Sequence, residues 1–181
     1  DMYLTDNVAA AAQLTKTLIR QGHNRIGYIS GDARISATRD RLYGYRLALD
    51  TAGILFDWSL VREDDGDSLA NGYHSTHALL AAVDPPTAVF ASNSDTALGV
   101  VRACQELGMV VPDDLTVACF DDLEHADTIF PYLTVMEQQT ACIGQLAVER
   151  LHTLCTSGDD ETQQHMLPAE LITRSQQRRL V

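Results

Sequence analysis

The chain has 181 residues, of which 45% are hydrophobic, and a formal net charge of −12 at pH 7 with a single lysine, Lys16. This length and hydrophobic content suffice for one large domain with a real core. The acidic charge excludes nucleic-acid binding by this chain alone, because phosphate contacts require clustered Lys and Arg. No apolar run reaches the roughly 18 residues of a membrane span, and no signal-peptide pattern begins the sequence, so we expect a cytoplasmic protein without membrane contacts.

The first third of the chain alternates helical and strand patterns. Apolar residues at helical spacing between positions 8 and 19 end at Gly22, and the strand pattern "RIGYIS" follows. Tyr45 and Leu49 belong to the next helical stripe, which Gly53 ends before a short strand near "WSLV". Gly22 is predicted to take the left-handed conformation that stops a helix.

The same alternation continues along the chain. A third helical pattern runs through Thr76 and Leu80, and the strand "TAVFA" follows two prolines. A fourth helix, around Ala97 to Cys104, is closed by Gly108 before the strand "LTVACF". Helices that alternate with short apolar strands require a parallel sheet covered on both faces. The sequence therefore predicts an α/β fold with a doubly wound parallel sheet.

Polar residues follow every predicted strand of this sheet. They are Asp32, Arg34, Ser36, Arg39 and Arg41 after the first strand, Arg62 to Asp67 after the second, Ser92 and Asn93 after the third, and Asp121 and Asp122 after the fourth. Ligands of such folds bind outside the carboxyl ends of the strands. Arginines, an amide and carboxylates at this edge suit a polyhydroxylated or heteroaromatic small molecule. The alternative is that loop residues are polar in any protein.

The sequence "SNS" at residues 92–94 adds a second indication of a site. A strand that runs directly into a helix needs one capping side chain at the join, because a single Ser or Asn oxygen accepts a free amide of the first turn. Three small polar residues stand there. The surplus indicates a binding function beyond capping.

Catalytic motifs for phosphate cradling, dinucleotide binding, a serine nucleophile or a zinc protease are all missing, so we predict no enzyme and no cofactor. His74 and His77 stand one helical turn apart without an evident third metal ligand, which favours a partly exposed helix face. Asp121 with Asp122 could hold Mg²⁺ in a metal-dependent hydrolase. Such chemistry usually recruits a lysine at a strand end, whereas Lys16 lies inside the first predicted helix.

The cysteines form no recognisable metal or disulfide framework. Cys104, Cys119, Cys142 and Cys155 stand singly, without a C-x-x-C pair. They are predicted to be ordinary buried thiols, and no metal is expected.

Successive blocks of the sequence resemble the lactose/galactose repressor (LacI/GalR) family of bacterial transcription regulators. The blocks are "DNVAAAAQLTKTLIRQGHNRIGYISG", "RDRLYGYRLAL", "PTAVFASNSDTALGVVRACQELGMVVPDDLTVACFDD", "PYLTVMEQQTACIGQLAVERL" and "LPAELITRS", in that order. Periplasmic sugar-binding proteins have similar folds and remain an alternative. The stretch "FDDLEHADTIFPYLTVMEQ" and the lack of an export signal favour the repressors.

The resemblance implies the C-terminal part of an effector-binding domain, with a periplasmic-binding-protein-like (type I) fold. Residues 1–122 would form the bulk of the C-terminal subdomain, 123–158 a crossover and a helix of the mostly absent N-terminal subdomain, and 159–181 the return to the C-terminal subdomain and the tail. Asp1 is not an initiator Met, so we expect a piece of a longer protein. The helix-turn-helix domain of the family would be absent.

The resemblance also implies a site. Arg41 would grip the effector, Asn93 and Asp121 would contact it, and Gln138 would be a further cleft residue. Asp67 stands where related repressors often carry a stacking aromatic, so stacking is in doubt. The implied effector is a sugar or sugar derivative, with nucleosides and purines as alternatives. The effector would control operator DNA binding allosterically in a homodimer, with DNA contacted only through the absent domain.

Overall fold

The computed structural model describes residues 1–64, 68–157 and 162–174. The strands in chain order are β1 (Met2–Thr5), β2 (Ile26–Ser30), β3 (Val61–Glu63), β4 (Ala88–Ala91), β5 (Thr116–Phe120), β6 (Thr134–Glu137), β7 (Gln164–Leu167) and β8 (Glu170–Thr173). The helices are α1 (Asn7–Arg20), α2 (Ser36–Thr51), α3 (Ser68–Leu80), α4 (Ser94–Glu106), α5 (Ala126–Ile129) and α6 (Thr140–Ser157), and a single 3₁₀ turn spans Trp58–Leu60.

The six-stranded sheet has the strand order β3-β2-β4-β5-β6-β8. Neighbouring strands are parallel throughout, except that β8 runs antiparallel to β6 at the edge. The central strands are almost wholly buried, as the continuous apolar runs of the sequence required. The predicted doubly wound α/β fold is confirmed.

Each face of this sheet packs a separate apolar cluster under its own pair of helices. One cluster joins α1 and α2 to Tyr28, Phe90 and Phe120, and its aromatic pair Tyr28 and Tyr45 has ring centroids 5.1 Å apart. The other joins α3 and α4 to the opposite side of the same strands, for example Val89. Side chains of successive strand residues point to opposite faces, so one strand supplies both clusters.

The helix stops follow the sequence prediction. Gly22, Gly53 and Gly108 have φ values of 99°, 71° and 68°, respectively. These angles lie in the left-handed region that glycine adopts without a steric penalty. Each glycine stands two residues after the last residue of its helix, so the three helices end where the sequence predicted.

The division of the chain differs from the predicted one. β1 pairs in parallel with β7 in a separate two-stranded sheet, so residues 2–5 do not belong to the large sheet. β6 lies in the large sheet between β5 and β8, so residues 134–137 are not part of a crossover. Met136 and Val135 are buried in the two apolar clusters of the large sheet, one on each face, and Thr134 is also buried.

α6 packs against β1 and exposes most of its surface. Leu151 and Val148 are 60% and 67% exposed, whereas Arg150 is buried and its Nε donates to Asp1 Oδ2 at 2.7 Å. Cys142 and Cys155 on this helix are exposed, so the prediction of buried thiols is wrong for them and correct for Cys104 and Cys119. None of the helices in the described ranges combines the length and hydrophobicity needed to cross a lipid bilayer.

Two glycines allow α3 and α4 to approach until their backbones touch. A Cβ on Gly99 would overlap the carbonyl oxygen of Leu69, and a Cβ on Gly72 would overlap that of Thr96, both well inside van der Waals contact. The partners are backbone atoms, which cannot rotate away. The α3–α4 contact therefore depends on the absence of side chains at these positions.

We expect Gly99→Ala to lower the free energy of unfolding by about 2 kcal/mol, because the added methyl group forces the two helices apart. Gly144→Ala in α6 is the matched control, since nothing lies within 4 Å of a Cβ at that position. That control should raise stability by up to about 1 kcal/mol through helix propensity. Urea unfolding followed by circular dichroism measures both. Equal effects of the two substitutions would contradict the close-packing account.

Candidate functional site

The order of the chain through the large sheet reverses between β2 and β4. β2 pairs with β3 on one side and with β4 on the other, so the connections leave β2 and β4 in opposite directions. Such a switch point opens a crevice outside the carboxyl ends of the strands. Arg41 enters it from α2, the helix after β2, and Ser92 and Asn93 enter it from the end of β4.

Arg41 is the buried centre of this crevice. Its Nε donates to Asn7 Oδ1 at 2.8 Å, and its Nη1 donates to the carbonyl oxygen of Ser92 at 2.6 Å. The guanidinium carbon lies 3.6 Å from the ring centroid of Phe120, a cation–π contact that replaces water on that side. Burial lowers the pKa of Arg41, and the Asp121 carboxylate acts in the opposite direction. The group stays charged, since arginine is not deprotonated in proteins.

Asp121 stands directly after β5 in a left-handed conformation, with φ of 70°. Asp tolerates this region better than most residues. Its Oδ1 accepts from Gln138 Nε2 at 2.5 Å, and its Oδ2 lies 3.7 Å from Arg41 Nη1. The backbone turn therefore brings a carboxylate to face both the arginine of α2 and the chain that leaves β6.

Asn93 is the N-cap of α4. Its Oδ1 accepts from the amide of Thr96 at 2.8 Å, which explains one of the three small polar residues at the end of β4. Ser92 is buried, and its carbonyl oxygen holds Arg41. Of the three small polar residues, Asn93 is therefore the cap, and Ser94 is the first helical residue.

The first crossover, between β1 and α1, contributes two groups that the sequence did not predict. Asn7 is buried and donates from Nδ2 to the carbonyl oxygen of Thr5 at 3.1 Å while its Oδ1 accepts from Arg41. Thr5 Oγ1 donates to Gln138 Oε1 at 2.6 Å. Two polar residues on either side of the capping Asp6 were a signal for such a role, since one cap suffices for a helix.

Several polar residues predicted near the crevice have other partners. Arg34 pairs with Asp32 at 2.7 Å on the surface, and Arg39 donates to the carbonyl oxygens of Ala33 and Arg34. These pairs stabilise the loop after β2, and the structure does not bring them to Arg41. Asp67 lies outside the described residues.

Asp122 is directed away from Asp121. Its Oδ2 accepts from Arg174 Nη2 at 2.6 Å, and Arg174 Nε donates to Asp127 at the same distance. The two adjacent aspartates therefore serve different partners, which argues against a shared Mg²⁺ site. In the described part of the chain, no group of three or more His, Cys, Asp or Glu could hold a metal ion.

His74 is exposed on α3, whereas His77 is half-buried and its Nε2 has no hydrogen-bond partner in the described structure. The Tyr73 ring lies 4.7 Å from the His77 ring and 5.1 Å from the His74 ring, measured between centroids. Tyr73 in turn donates to Glu106 Oε2 of α4 at 2.8 Å. These contacts support the prediction of a helix face over the metal-ligand alternative.

A cavity of about 590 Å³ opens at the opposite edge of the sheet, beside Thr116 and Thr134, which begin β5 and β6. Arg174 lines it, but two carboxylates already neutralise this guanidinium. The chemistry of the crevice around Arg41 is therefore better suited to a charged or polar ligand.

Three polar groups of the crevice have no hydrogen-bond partner among the described residues. They are Nη2 of Arg41, Oδ2 of Asp121 and Nδ2 of Asn93. Two donor groups and one charged acceptor thus remain available after the fold has used the other atoms of the same side chains. A hydroxyl group both donates and accepts, so neighbouring hydroxyls of one molecule could bind all three.

Comparisons with known proteins agree with this fold. A model of the periplasmic binding protein-like domain family matches residues 15–175. A ribose operon repressor from Haemophilus influenzae is 35% identical over 83% of this chain and 45% of its own length. Among solved structures, a regulatory protein of the LacI family from Chloroflexus aggregans has a TM-score of 0.89 at 28% identity, covering 96% of this chain and 62% of that one. A complex of the transcriptional regulator CelR with cellobiose has a TM-score of 0.87 at 31% identity, covering 95% and 52%.

The chain spans about half the length of the curated relatives it matches, 45% of one and 52% of another. The domain model nevertheless covers most of this chain, and the relatives are transcription repressors. The predicted resemblance is thereby confirmed. The chain belongs to the periplasmic binding protein-like domain family, in the form that this domain takes in transcription regulators of the lactose/galactose repressor (LacI) family.

Proposed function

We propose that this chain is the effector-sensing core of a bacterial transcription regulator, and that a sugar or sugar derivative binds in the crevice around Arg41. The supporting observation is a set of groups that have no hydrogen-bond partner in the described structure: Nη2 of Arg41, Nδ2 of Asn93, and Oδ2 of Asp121, whose nearest charge is Arg41 Nη1 at 3.7 Å. A pair of adjacent hydroxyls satisfies a guanidinium and a carboxylate together. The cellobiose complex of a structural neighbour supports the same ligand class.

A purine or nucleoside is the second candidate, since its ring edges also combine donors and acceptors. Such a flat ligand usually needs an aromatic face to stack on. Phe120 is fully buried and already covered by the Arg41 guanidinium, so it does not offer one. The described residues around Arg41 offer hydrogen-bonding groups but no free aromatic face, so they favour a polyhydroxylated ligand.

A thermal-shift screen with D-ribose, cellobiose, adenosine and hypoxanthine tests the proposal, because a ligand that binds only the native state raises Tm by mass action. We expect a saturable shift with a sugar. Saturable shifts with adenosine or hypoxanthine alone would favour the second candidate. An unchanged Tm with every probe up to millimolar concentration would count against a small-molecule site of either kind.

With the ligand from that screen, we expect Asp121→Ala to weaken binding by about 2 kcal/mol, roughly 30-fold in Kd, because the ligand loses a charge-assisted bond. Arg39→Ala is the matched control. Arg39 lies on the same helix as Arg41 but bonds only to backbone carbonyls in the described structure. Titration calorimetry measures both. An unchanged Kd for Asp121→Ala would remove this residue from the site.

Arg41→Ala should lower both the affinity for the ligand and the stability of the fold. The reason is that two buried acceptors, the Ser92 carbonyl oxygen and Asn7 Oδ1, would lose their hydrogen-bond donor. A loss of affinity with unchanged stability would show that these internal bonds are of no structural importance.

We further propose that effector binding controls DNA recognition allosterically and that the DNA is read by another part of the regulator. A ligand can shift such an equilibrium only by its differential affinity for two states. With a net charge of −12 and one lysine, this chain should not bind duplex DNA specifically at physiological salt. A gel shift with operator and scrambled duplexes measures this. Sequence-dependent retardation would require a basic surface and would contradict the proposal.

The regulator is also proposed to act as a homodimer. Ile129, the last residue of α5, exposes 56% of its surface next to the half-buried Phe130, and both lie in the stretch "FDDLEHADTIFPYLTVMEQ" that resembles the repressors. If copies associate there, Ile129→Asp should shift the dimer to monomer in light scattering across a dilution series. Leu55→Asp is the control, since Leu55 is 91% exposed at a different place in the chain. Equal effects of both variants would argue against an interface at Ile129.

A further inference from the structure

Gln138 connects three parts of the molecule through its two polar ends. Its Oε1 accepts from Thr5 Oγ1 at 2.6 Å, across 133 positions of sequence, and its Nε2 donates to Asp121 Oδ1 at 2.5 Å. Thr5 ends β1 of the small sheet, Gln138 directly follows β6, and Asp121 directly follows β5 of the large sheet. We call these three residues the crossover clasp.

The chemistry fixes the orientation of the Gln138 amide. A carboxylate only accepts hydrogen bonds, so the amide nitrogen must face Asp121, and the amide oxygen then faces the threonine hydroxyl. Both polar ends are thus occupied by protein groups. Each end makes one bond to the protein, which fixes the amide between Thr5 and Asp121, while one N–H and one lone pair of the amide have no partner in the described structure.

The crossover clasp also contacts Arg41, the other charged residue proposed to bind the effector. Asn7 accepts from Arg41 Nε and donates to the carbonyl of Thr5, and Arg41 Nη1 lies 3.7 Å from Asp121. Thr5, Gln138, Asp121, Arg41 and Asn7 therefore form a closed ring of contacts. The two charged groups proposed for the effector and the two chain crossings between the sheets belong to one network.

We propose that Gln138 is a positioning residue that couples Asp121 to the crossover segments, and that effector binding is sensed through this coupling. The identification of Asp121 as an effector group rests on the proposed function, whereas the coupling itself does not. A ligand hydroxyl that binds Asp121 changes the strength of the Gln138–Asp121 bond. Because the same amide holds Thr5, the small sheet responds to that change.

Variants of Thr5, Asp121 and Gln138, made singly and in combination, test the coupling without any ligand. The Thr5 hydroxyl and the Asp121 carboxylate do not contact each other, and Gln138 bridges them. The other route of the ring, through Asn7 and Arg41, uses the backbone carbonyl of Thr5, which Thr5→Val keeps. We expect the urea midpoint of the Thr5→Val, Asp121→Ala double variant to fall by less than the sum of the two single shifts. In a Gln138→Met background the shifts should become additive. Ala at position 121 is strained at a φ of 70°. This strain is the same in the Asp121→Ala single variant and in the double variant, so it cancels when their unfolding midpoints are compared.

Gln139→Ala is the control background. Gln139 is the next residue in the chain and donates to the carbonyl of Pro168, so it also joins crossover segments but does not contact Asp121. The non-additivity should persist when Gln139 is replaced. Additive shifts in the unaltered chain, or non-additivity that survives Gln138→Met, would overturn the proposal.

A second measurement covers the case in which Asp121→Ala does not fold. The side-chain amide protons of Gln138 should exchange slowly with water by NMR, because Asp121 accepts from this amide and the Thr5 hydroxyl holds its oxygen. We expect Thr5→Val alone to shift the Gln138 amide signals and to speed their exchange, and Gln139→Ala to do neither. Unchanged Gln138 signals in Thr5→Val would overturn the proposal. If no probe in the ligand screen binds, the proposed function fails while these results stand.

Discussion

The buried charge of Arg41 is the constraint on which the crevice depends. A guanidinium removed from water is strongly destabilising unless its hydrogen-bonding groups and its charge are met. Here the partners come from Asn7 at the start of α1, the carbonyl of Ser92 after β4, and the carboxylate of Asp121 after β5, with the Phe120 ring below. Satisfying one charge therefore fixes three separate segments relative to α2.

The parallel sheet explains how those segments meet. All carboxyl ends of β2, β4 and β5 lie at one edge, so the residue after each strand is brought close to the others whatever its distance in sequence. The small sheet contacts the crevice through Thr5, the last residue of β1, which donates to Gln138 after the end of β6. The buried ion pair of Arg150 with Asp1 holds α6 against β1. Packing of the small sheet is thus linked to the polar groups of the crevice.

Much of the large sheet could be predicted from the sequence because local signals agreed there. Glycine stops such as Gly22 and Gly108 and the continuous apolar strands act within a few residues, so each helix and strand was visible without knowledge of its neighbours. The edge strand β8 and the placement of β6 were not visible. Their assignment depends on which strand they pair with, and pairing partners are set by tertiary contacts.

The site was predictable to the same degree and for the same reason. Arg41, Asn93 and Asp121 follow strands, so the carboxyl-end rule finds them. Asn7 precedes a helix, and Thr5 ends a strand of the other sheet, so that rule does not reach them. On α6 the buried side chain is that of Arg150, which pairs with Asp1, while Val148 and Leu151 are exposed.

The amide side chains around the crevice share one property that bears on recognition. Asn93 has its oxygen fixed by the α4 amide, Asn7 has both ends fixed between Arg41 and Thr5, and Gln138 has both fixed between Thr5 and Asp121. None can rotate freely when a ligand enters. The donors and acceptors that remain are therefore already oriented, and a ligand loses little binding free energy to ordering them. The fold's own need to satisfy buried polar groups thereby produces a preorganised site.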